Sequence, residues 1–291
     1  MTTLSPKRVM VLGVSGMLGN AVFRYLAGRP AEFYAVGTAR SAAVRRFFAP
    51  ELHENILASV DVENVDSLLS AFAVVRPQVV INCIGLIKQL AQANDPLAAL
   101  PINGELPHRL ARICAVADAR LVHVSTDCVY SGAKGFYREE DASDAKDLYG
   151  RSKYLGEVDY PQAVTLRTSI IGHELDSANA LIGWFLAQEG SVKGYTKAIF
   201  SGLPTVEMAR IICDYVLPRP ELRGLYHVSA EPISKYDLLR LVADVYKKRI
   251  EIVPDDGLVI DRSLDSSRFR AATGYMPPVW PELIDAMSKF G

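Results

Sequence analysis

Cysteine, charge imbalance and long apolar runs are all scarce in this chain. Only Cys83, Cys114, Cys128 and Cys213 occur among 291 residues, and no two lie within four positions of each other. That spacing excludes a zinc knuckle and a CxxC redox pair, and free reduced thiols are expected. The histidines His53, His108, His123, His173 and His227 show no HxxxH or HxH spacing, so no metal site is expected. Lys plus Arg number 32 against 33 Asp plus Glu, a formal charge of -1. Such a balance gives no footing to nucleic acid or to an anionic membrane across the whole surface. The first apolar run, Val9 to Leu12, ends at Gly13. It falls far short of a secretory core or of a span of about 20 residues, so a soluble, cytoplasmic chain is expected.

What is present is an average globular composition, 49% apolar and 22% charged. That excludes disordered and collagen-like classes. The length suits about one and a half domains at roughly 150 residues each. Short β-branched runs alternate with longer amphipathic stretches over the first half. Strands are expected at 8–13, 32–37, 56–60, 79–82, 121–125 and 163–167. Helices are expected at 17–27, 64–75, 102–118 and 149–158. Strands apolar on both faces and separated by helices imply a parallel sheet covered on both sides. The expected fold class is α/β, a doubly wound parallel sheet, with ligands beyond the carboxyl ends of the strands. Past residue 170 the alternation weakens and Pro and Gly punctuate the chain. We divide it into a dinucleotide-type domain over 1–171 and a smaller substrate lobe over 172–291. A strand near 225–228 should return to the first sheet, and a capped helix should cover 234–247.

Gly13-Val14-Ser15-Gly16-Met17-Leu18-Gly19 forms a GxxGxxG turn between the first strand and the first helix. Glycines there permit a tight turn and close backbone approach to a pyrophosphate, and the helix end offers free N–H groups. No Lys-Ser/Thr follows Gly19, which excludes a mononucleotide P-loop. The second strand runs into Gly37-Thr38-Ala39-Arg40 with no acid to hold a ribose hydroxyl. Arg40 therefore points to the 2′-phosphate of NADP(H), with NAD(H) the second choice. Asp61 and Val62 after the third strand are placed for the adenine. Cys83, Ile84 and Gly85 at the exit of the fourth strand complete the cofactor side, with Ser125 at the end of the fifth.

Tyr149-Gly150-Arg151-Ser152-Lys153 is a Tyr-x-x-x-Lys pair. On a helix the two share one face, and a nearby cation, together with the positive nicotinamide of an oxidised cofactor, should lower the phenol toward a usable acid/base. Earlier in the chain the fifth strand ends in Ser125-Thr126-Asp127-Cys128-Val129-Tyr130. A hydroxyl there is well placed to meet a substrate carbonyl, with Asp127 beside it.

These three segments together resemble the extended short-chain dehydrogenase/reductases, whose nucleotide domain is a Rossmann fold. The likeness is nearest to dTDP-4-dehydrorhamnose reductases and related 4-keto nucleotide-sugar reductases. Tyr137-Arg138-Glu139-Glu140-Asp141, Gly224-Leu225-Tyr226-His227-Val228 and Arg262-Ser263-Leu264-Asp265 extend it over nearly the whole chain. The resemblance implies Thr126, Tyr149 and Lys153 as the catalytic trio, and Asn103 as a cofactor-side asparagine. It implies hydride transfer from NADPH to a nucleotide-linked ketosugar, and a homodimer through the helices after strands four and five. Two segments depart from the family. Asn82 to Gln89 lacks the usual Ala-rich pattern, and its Lys88 is a candidate for the sugar pocket. Gly190 to Pro204 carries Lys193 and Lys197, candidates for the nucleotide diphosphate. Substrates linked to dTDP or to UDP both remain open. A 4,6-dehydratase would carry Glu where Cys128 stands, and a 4-epimerase would keep an acid after the second strand. A further alternative is a non-catalytic NADP-binding regulatory subunit. The beta subunit of methionine adenosyltransferase, which resembles the same reductases, is of that kind.

Overall fold

The computed structural model describes residues 5–87 and 94–291. The central sheet has seven strands: β1 (Lys7–Leu12), β2 (Phe33–Thr38), β3 (Ile56–Leu57), β4 (Val79–Asn82), β5 (Arg120–Thr126), β6 (Ala163–Thr168) and β7 (Gly224–His227). Their order is β7-β6-β5-β4-β1-β2-β3, and every pairing is parallel. The order reverses between β1 and β4, where Val9 stands beside Val79 and Leu12 beside Asn82. Loops leaving such a switch point part from each other and open a crevice for a ligand.

Successive residues of a strand face opposite sides, and β1 shows why its sequence is continuously apolar. Val9 and Val11 enter one core with Val22, Phe23 and Leu26 of helix α1 (Met17–Ala27). Met10 and Leu12 enter the other core with Leu68 and Phe72 of helix α2 (Val65–Val75). Leu106, Leu110 and Cys114 join that second core. They belong to α3, a helical run over 96–116 that passes through a π-helical turn at Leu100–Glu105. Helix α4 (Leu148–Leu155) follows β5, and its N-cap Asp147 accepts from the N–H of Gly150 at 2.8 Å. All four cysteines are free thiols.

The C-terminal half adds helices α5 (Leu181–Ala187), α6 (Thr205–Ile211), α7 (Lys235–Val245), α8 (Ser267–Thr273) and α9 (Trp280–Phe290). Met208 and Ile211 of α6, with Leu283 and Ile284 of α9, close over the core that holds Val9 and Val11. Strands Ser191–Tyr195 and Glu251–Asp255 pair as a parallel ribbon. Ala198–Phe200 pairs with Ile233–Ser234 on one side and Ile260–Asp261 on the other.

Local differences from the sequence reading have physical causes. The third strand was expected over 56–60, but only Ile56–Leu57 pairs. Ser59 takes φ of 62°, a left-handed conformation that ends an extended run. The helix expected over 149–158 stops at Leu155, where the backbone of Gly156 turns out of the helical conformation at φ of -90° and ψ of 1°.

Candidate active site

The glycine turn sits at the switch point. Gly13 has φ of 85°, and its N–H and that of Val14 both reach the carbonyl of Thr38, at 3.3 and 3.1 Å. A side chain on Gly19 would strike the carbonyl of Gly13, so the helix touches the turn backbone to backbone. A Cβ on Gly13 would lie 2.7 Å from Ile84 Cγ1, which shows how closely the exits of β1 and β4 approach. Ser15 and Gly16 are exposed, Met17 is half-buried and Leu18 is buried. Gly16 caps α1 without any side-chain hydrogen bond. The first N–H groups of the helix therefore lack a side-chain cap, and a Cβ on Gly16 would meet only the Gly13 carbonyl, at 3.4 Å. An uncapped helix end behind an open glycine cradle fits a pyrophosphate.

Arg40 stands exposed just beyond β2 and forms no ion pair among the described residues. Ser41 beside it caps the turn Ala42–Phe47, its hydroxyl accepting from the N–H of Ala43 at 3.2 Å. Asp61 is exposed and accepts from the N–H of Glu63 at 3.1 Å, while Val62 is buried in the core. Cys83 is half-buried at the end of β4, and burial pushes its thiol up to about 12. Gly85 lies over two of the expected residues: a Cβ there would be 3.4 Å from Asn103 Oδ1 and 3.8 Å from Lys153 Nζ.

The fold brings Thr126, Tyr149 and Lys153 together. Thr126 ends β5, and its hydroxyl accepts from the N–H of Cys128 at 3.1 Å and donates to Asp127 Oδ1 at 3.3 Å. Gly150 lets α4 approach this turn, since any side chain there would strike the Cys128 carbonyl. Burial pushes the Tyr149 phenol well above its ordinary range, with Cys128 and Asp127 adding to the effect. The Thr126 hydroxyl is the group that pulls it down. The expected lowering by Lys153 is not what this arrangement produces. The Lys153 ammonium turns to β5 and donates to the carbonyl of Val124 at 2.9 Å. Burial pulls Lys153 itself down to about 8, opposed by Glu157. Lysine and tyrosine share a helix face, as i and i+4 must, yet their charged ends have separate partners.

Asn103 is fully engaged. Its Oδ1 accepts from the N–H of Leu86 at 2.9 Å, and its Nδ2 donates to Ser152 Oγ at 3.2 Å. It thus ties the β4 exit loop to α4. Ser125 donates its hydroxyl to Glu157 Oε1 at 2.7 Å. Asp127 is buried, which raises its carboxyl, with Arg262 pulling the other way. Arg262 donates through Nε to the carbonyl of Tyr130 at 2.8 Å and through Nη1 to Cys128 Sγ at 3.8 Å. It is the one arginine of the C-terminal half that contacts this segment among the described residues. No signal in the sequence around Arg262 announces this contact, which only the fold creates. Lys193 lies elsewhere, on the exposed ribbon, paired with Asp255 at 2.9 Å, and Lys197 pairs with Asp256 at 3.3 Å. Lys88 falls within 88–93, outside the described residues.

Among the described residues no group of three metal-ligating side chains gathers, and no helix is long and apolar enough to cross a membrane. A solved structure of a dTDP-4-dehydrorhamnose reductase from Bacillus anthracis, in complex with NADP, superposes with a TM-score of 0.79 at 21% identity. The match covers 98% of this chain and 99% of that one. Methionine adenosyltransferase 2 subunit beta of Danio rerio is 28% identical over 253 residues, 82% of this chain and 74% of the relative. The dTDP-4-dehydrorhamnose reductase of Streptomyces griseus is 32% identical over 151 residues, 52% of this chain and 43% of the relative. Residues 7–257 match the family described as RmlD substrate binding domain, and across that span the chain belongs to this family.

Proposed function

We propose that this protein reduces the keto group of a nucleotide-linked 4-keto sugar with NADPH. The observation that carries the reading is the convergence of Thr126, Tyr149 and Lys153 beside the cradle of Gly13, Gly16 and Gly19. The cofactor, when bound, supplies the hydride; the chain supplies position and protons. Gly13 to Gly19 and the start of α1 hold the diphosphate, and Arg40 pairs with the 2′-phosphate. Asp61 and Val62 flank the adenine, while Cys83, Ile84 and Gly85 line the nicotinamide half. Lys153 orients the ribose. Thr126 gives up its long bond to Asp127 and donates to the ketone oxygen, and Tyr149 delivers the proton. Burial keeps Tyr149 in its protonated form, the form that holds the proton to be delivered, and the Thr126 hydroxyl pulls the phenol back toward its ordinary range. Asp127 and Arg262 face the sugar nucleotide, with Lys193 an outlying contact to its diphosphate. The NADP carried by the Bacillus anthracis reductase supports the cofactor choice.

Cys128 speaks against dehydration as the main reaction. Burial pushes its thiol up to about 12, so it holds no usable base at neutral pH. A second reading, a regulatory subunit, rests on the broad likeness to methionine adenosyltransferase 2 subunit beta. One assay separates the two. Purified protein should consume NADPH when given the product of a dTDP- or UDP-sugar 4,6-dehydratase. Tight NADPH binding without any consumption would turn the assignment to the regulatory reading. The proposal includes a homodimer: Leu97, Leu100 and Leu155 line an exposed apolar cavity of about 310 Å³ on α3 and α4. Light scattering should therefore return about twice 31.9 kDa.

A further inference from the structure

A chain of buried polar groups lies behind the end of β5, and the reaction above does not use it. Arg167 on β6 donates through Nε to Glu157 Oε1 at 2.8 Å and through Nη2 to Oε2 at 2.5 Å. Their side chains are only 2% and 9% exposed. Arg167 Nη1 also meets the Tyr130 hydroxyl and, at 2.8 Å, His227 Nε2. His227 Nδ1 lies 3.0 Å from the carbonyl of Tyr137, so Nδ1 carries the hydrogen and Nε2 accepts. Burial and Arg167 hold His227 down to about 3, and the ring stays neutral. Every polar end of Arg167 is thereby used up on fixed partners, and Glu157 is locked in one pose.

The locked carboxylate touches the catalytic strand. Val124, Ser125 and Thr126 are consecutive on β5. The first receives Lys153, the second donates to Glu157 and the third pulls on Tyr149. Tyr149, Lys153 and Glu157 are spaced by four, so the clamp begins where the catalytic pair ends. A buried ion pair gives little net stability over an apolar pair of equal volume, so a stabilising role alone does not account for it. The groups acting on Lys153 are few. Cys83 on β4 stays a protonated thiol, and His123 on β5 is held well below its ordinary value by burial. Tyr149 on the same helix stays protonated, and Asn103 from α3 is uncharged. Glu157 is the carboxylate that acts on Lys153, and Arg167 on β6, paired with it, offsets part of its charge.

We propose that Glu157 is a positioning residue of the catalytic pair. Clamped by Arg167, it fixes the end of β5 through Ser125, and with it the neighbouring Val124 carbonyl on which the Lys153 ammonium rests. The inference rests on the roles given to Tyr149 and Lys153 above, and its test is chosen to stand apart from turnover. The Lys153 ammonium is titrated by carbon-13 NMR of its Cε, assigned by its loss in Lys153→Met. In Glu157→Gln the midpoint should fall by about one pH unit, the size of effect one close counter-charge has. Glu157→Asp, which keeps the charge, should recover part of the shift. Because Glu157→Gln orphans Arg167, a double variant, Glu157→Leu with Arg167→Met, removes both charges and keeps the volume apolar. Because the pair removed carries no net charge, a midpoint that still falls, in a protein that still unfolds cooperatively, reports the loosened Val124 carbonyl and not the lost anion. The alkaline limb of NADPH consumption should move to lower pH in step. An unmoved Lys153 midpoint in the folded double variant overturns the proposal. A moved midpoint in a protein that never consumes NADPH sustains the role of Glu157 and overturns the reductase reading instead.

Discussion

Lys153 and Lys193, two of the lysines expected to meet a ligand, are treated oppositely by the fold. Lys153 is 5% exposed, bonded to a strand carbonyl, and pulled down to about 8 by burial. Lys193 has 72% of its side chain exposed and is paired with Asp255, which raises it. The first sits where β5, α4 and the β4 exit converge. The second sits on a two-stranded ribbon of the C-terminal half. Burial makes a charge expensive, so a buried charge must be held by fixed partners, and that fixing gives it chemistry. An exposed charge keeps its water, is screened, and contributes little wherever it points.

The comparison breaks first at its centre. Tyr149→Phe should cut NADPH-dependent turnover by roughly 10²–10⁴-fold, the scale of one positioned acid, while leaving NADPH affinity within about threefold. Stopped-flow consumption and fluorescence titration of NADPH measure the two. Near-normal turnover would remove Tyr149 from the reaction. Next in size is Arg167→Met, which strands the Glu157 carboxylate beneath the site. Leaving one partner of a buried pair alone costs about 3–5 kcal/mol, so the thermal midpoint should drop by many degrees. A loss under about 1 kcal/mol would mean that water reaches the pair.

Lys153 itself gives a pH test with a definite sign. Its folded value of about 8 lies below the ordinary 10.5 of lysine. Below about 8 the native state bears the full cost of the buried charge. Between about 8 and 10.5 the unfolded chain binds more protons than the native one, so stability should rise with pH across that window. The rise is at most about 3 kcal/mol. Lys153→Met should lack this rise in urea titrations at a series of pH values. A mutant curve parallel to the wild type would place the titration elsewhere. Lys193→Ala should have the smallest effect. An outlying exposed contact should raise KM for the nucleotide sugar by about threefold or less and leave kcat and stability unchanged. A tenfold change in kcat would move Lys193 into the site and erase the contrast.

Much of the frame was legible beforehand because it is local. The helix over Met17–Ala27 and the strand Val79–Asn82 were expected with those bounds. Asn64 and Ser234 cap their helices through their own side chains, a signal written in neighbouring residues. The family resemblance rested on short contiguous motifs and holds over residues 7–257. Other features were hidden by distance in sequence. The ribbon joins Ser191–Tyr195 to Glu251–Asp255, and neither strand carries a pattern that names its partner. Helix Trp280–Phe290 was not anticipated, although Trp280, Leu283, Ile284 and Met287 recur at helical spacing. Arg262 meets Cys128 only because a segment 134 residues further along the chain folds back onto the end of β5.

Glu157 marks the line between the two kinds of information. Its place four residues after Lys153 is in the sequence, and so is its carboxylate. By itself the sequence determined periodicities, turns and the residue types that reach the end of β5. Only the tertiary structure decided which of those groups lie in water and which lie beside one another. It turned the Lys153 ammonium to Val124 and not to Tyr149, raised the phenol, and locked Glu157 under Arg167. The reason is physical: spacing along a chain sets which face a side chain leaves from, while burial and long-range neighbours set its charge and its partner.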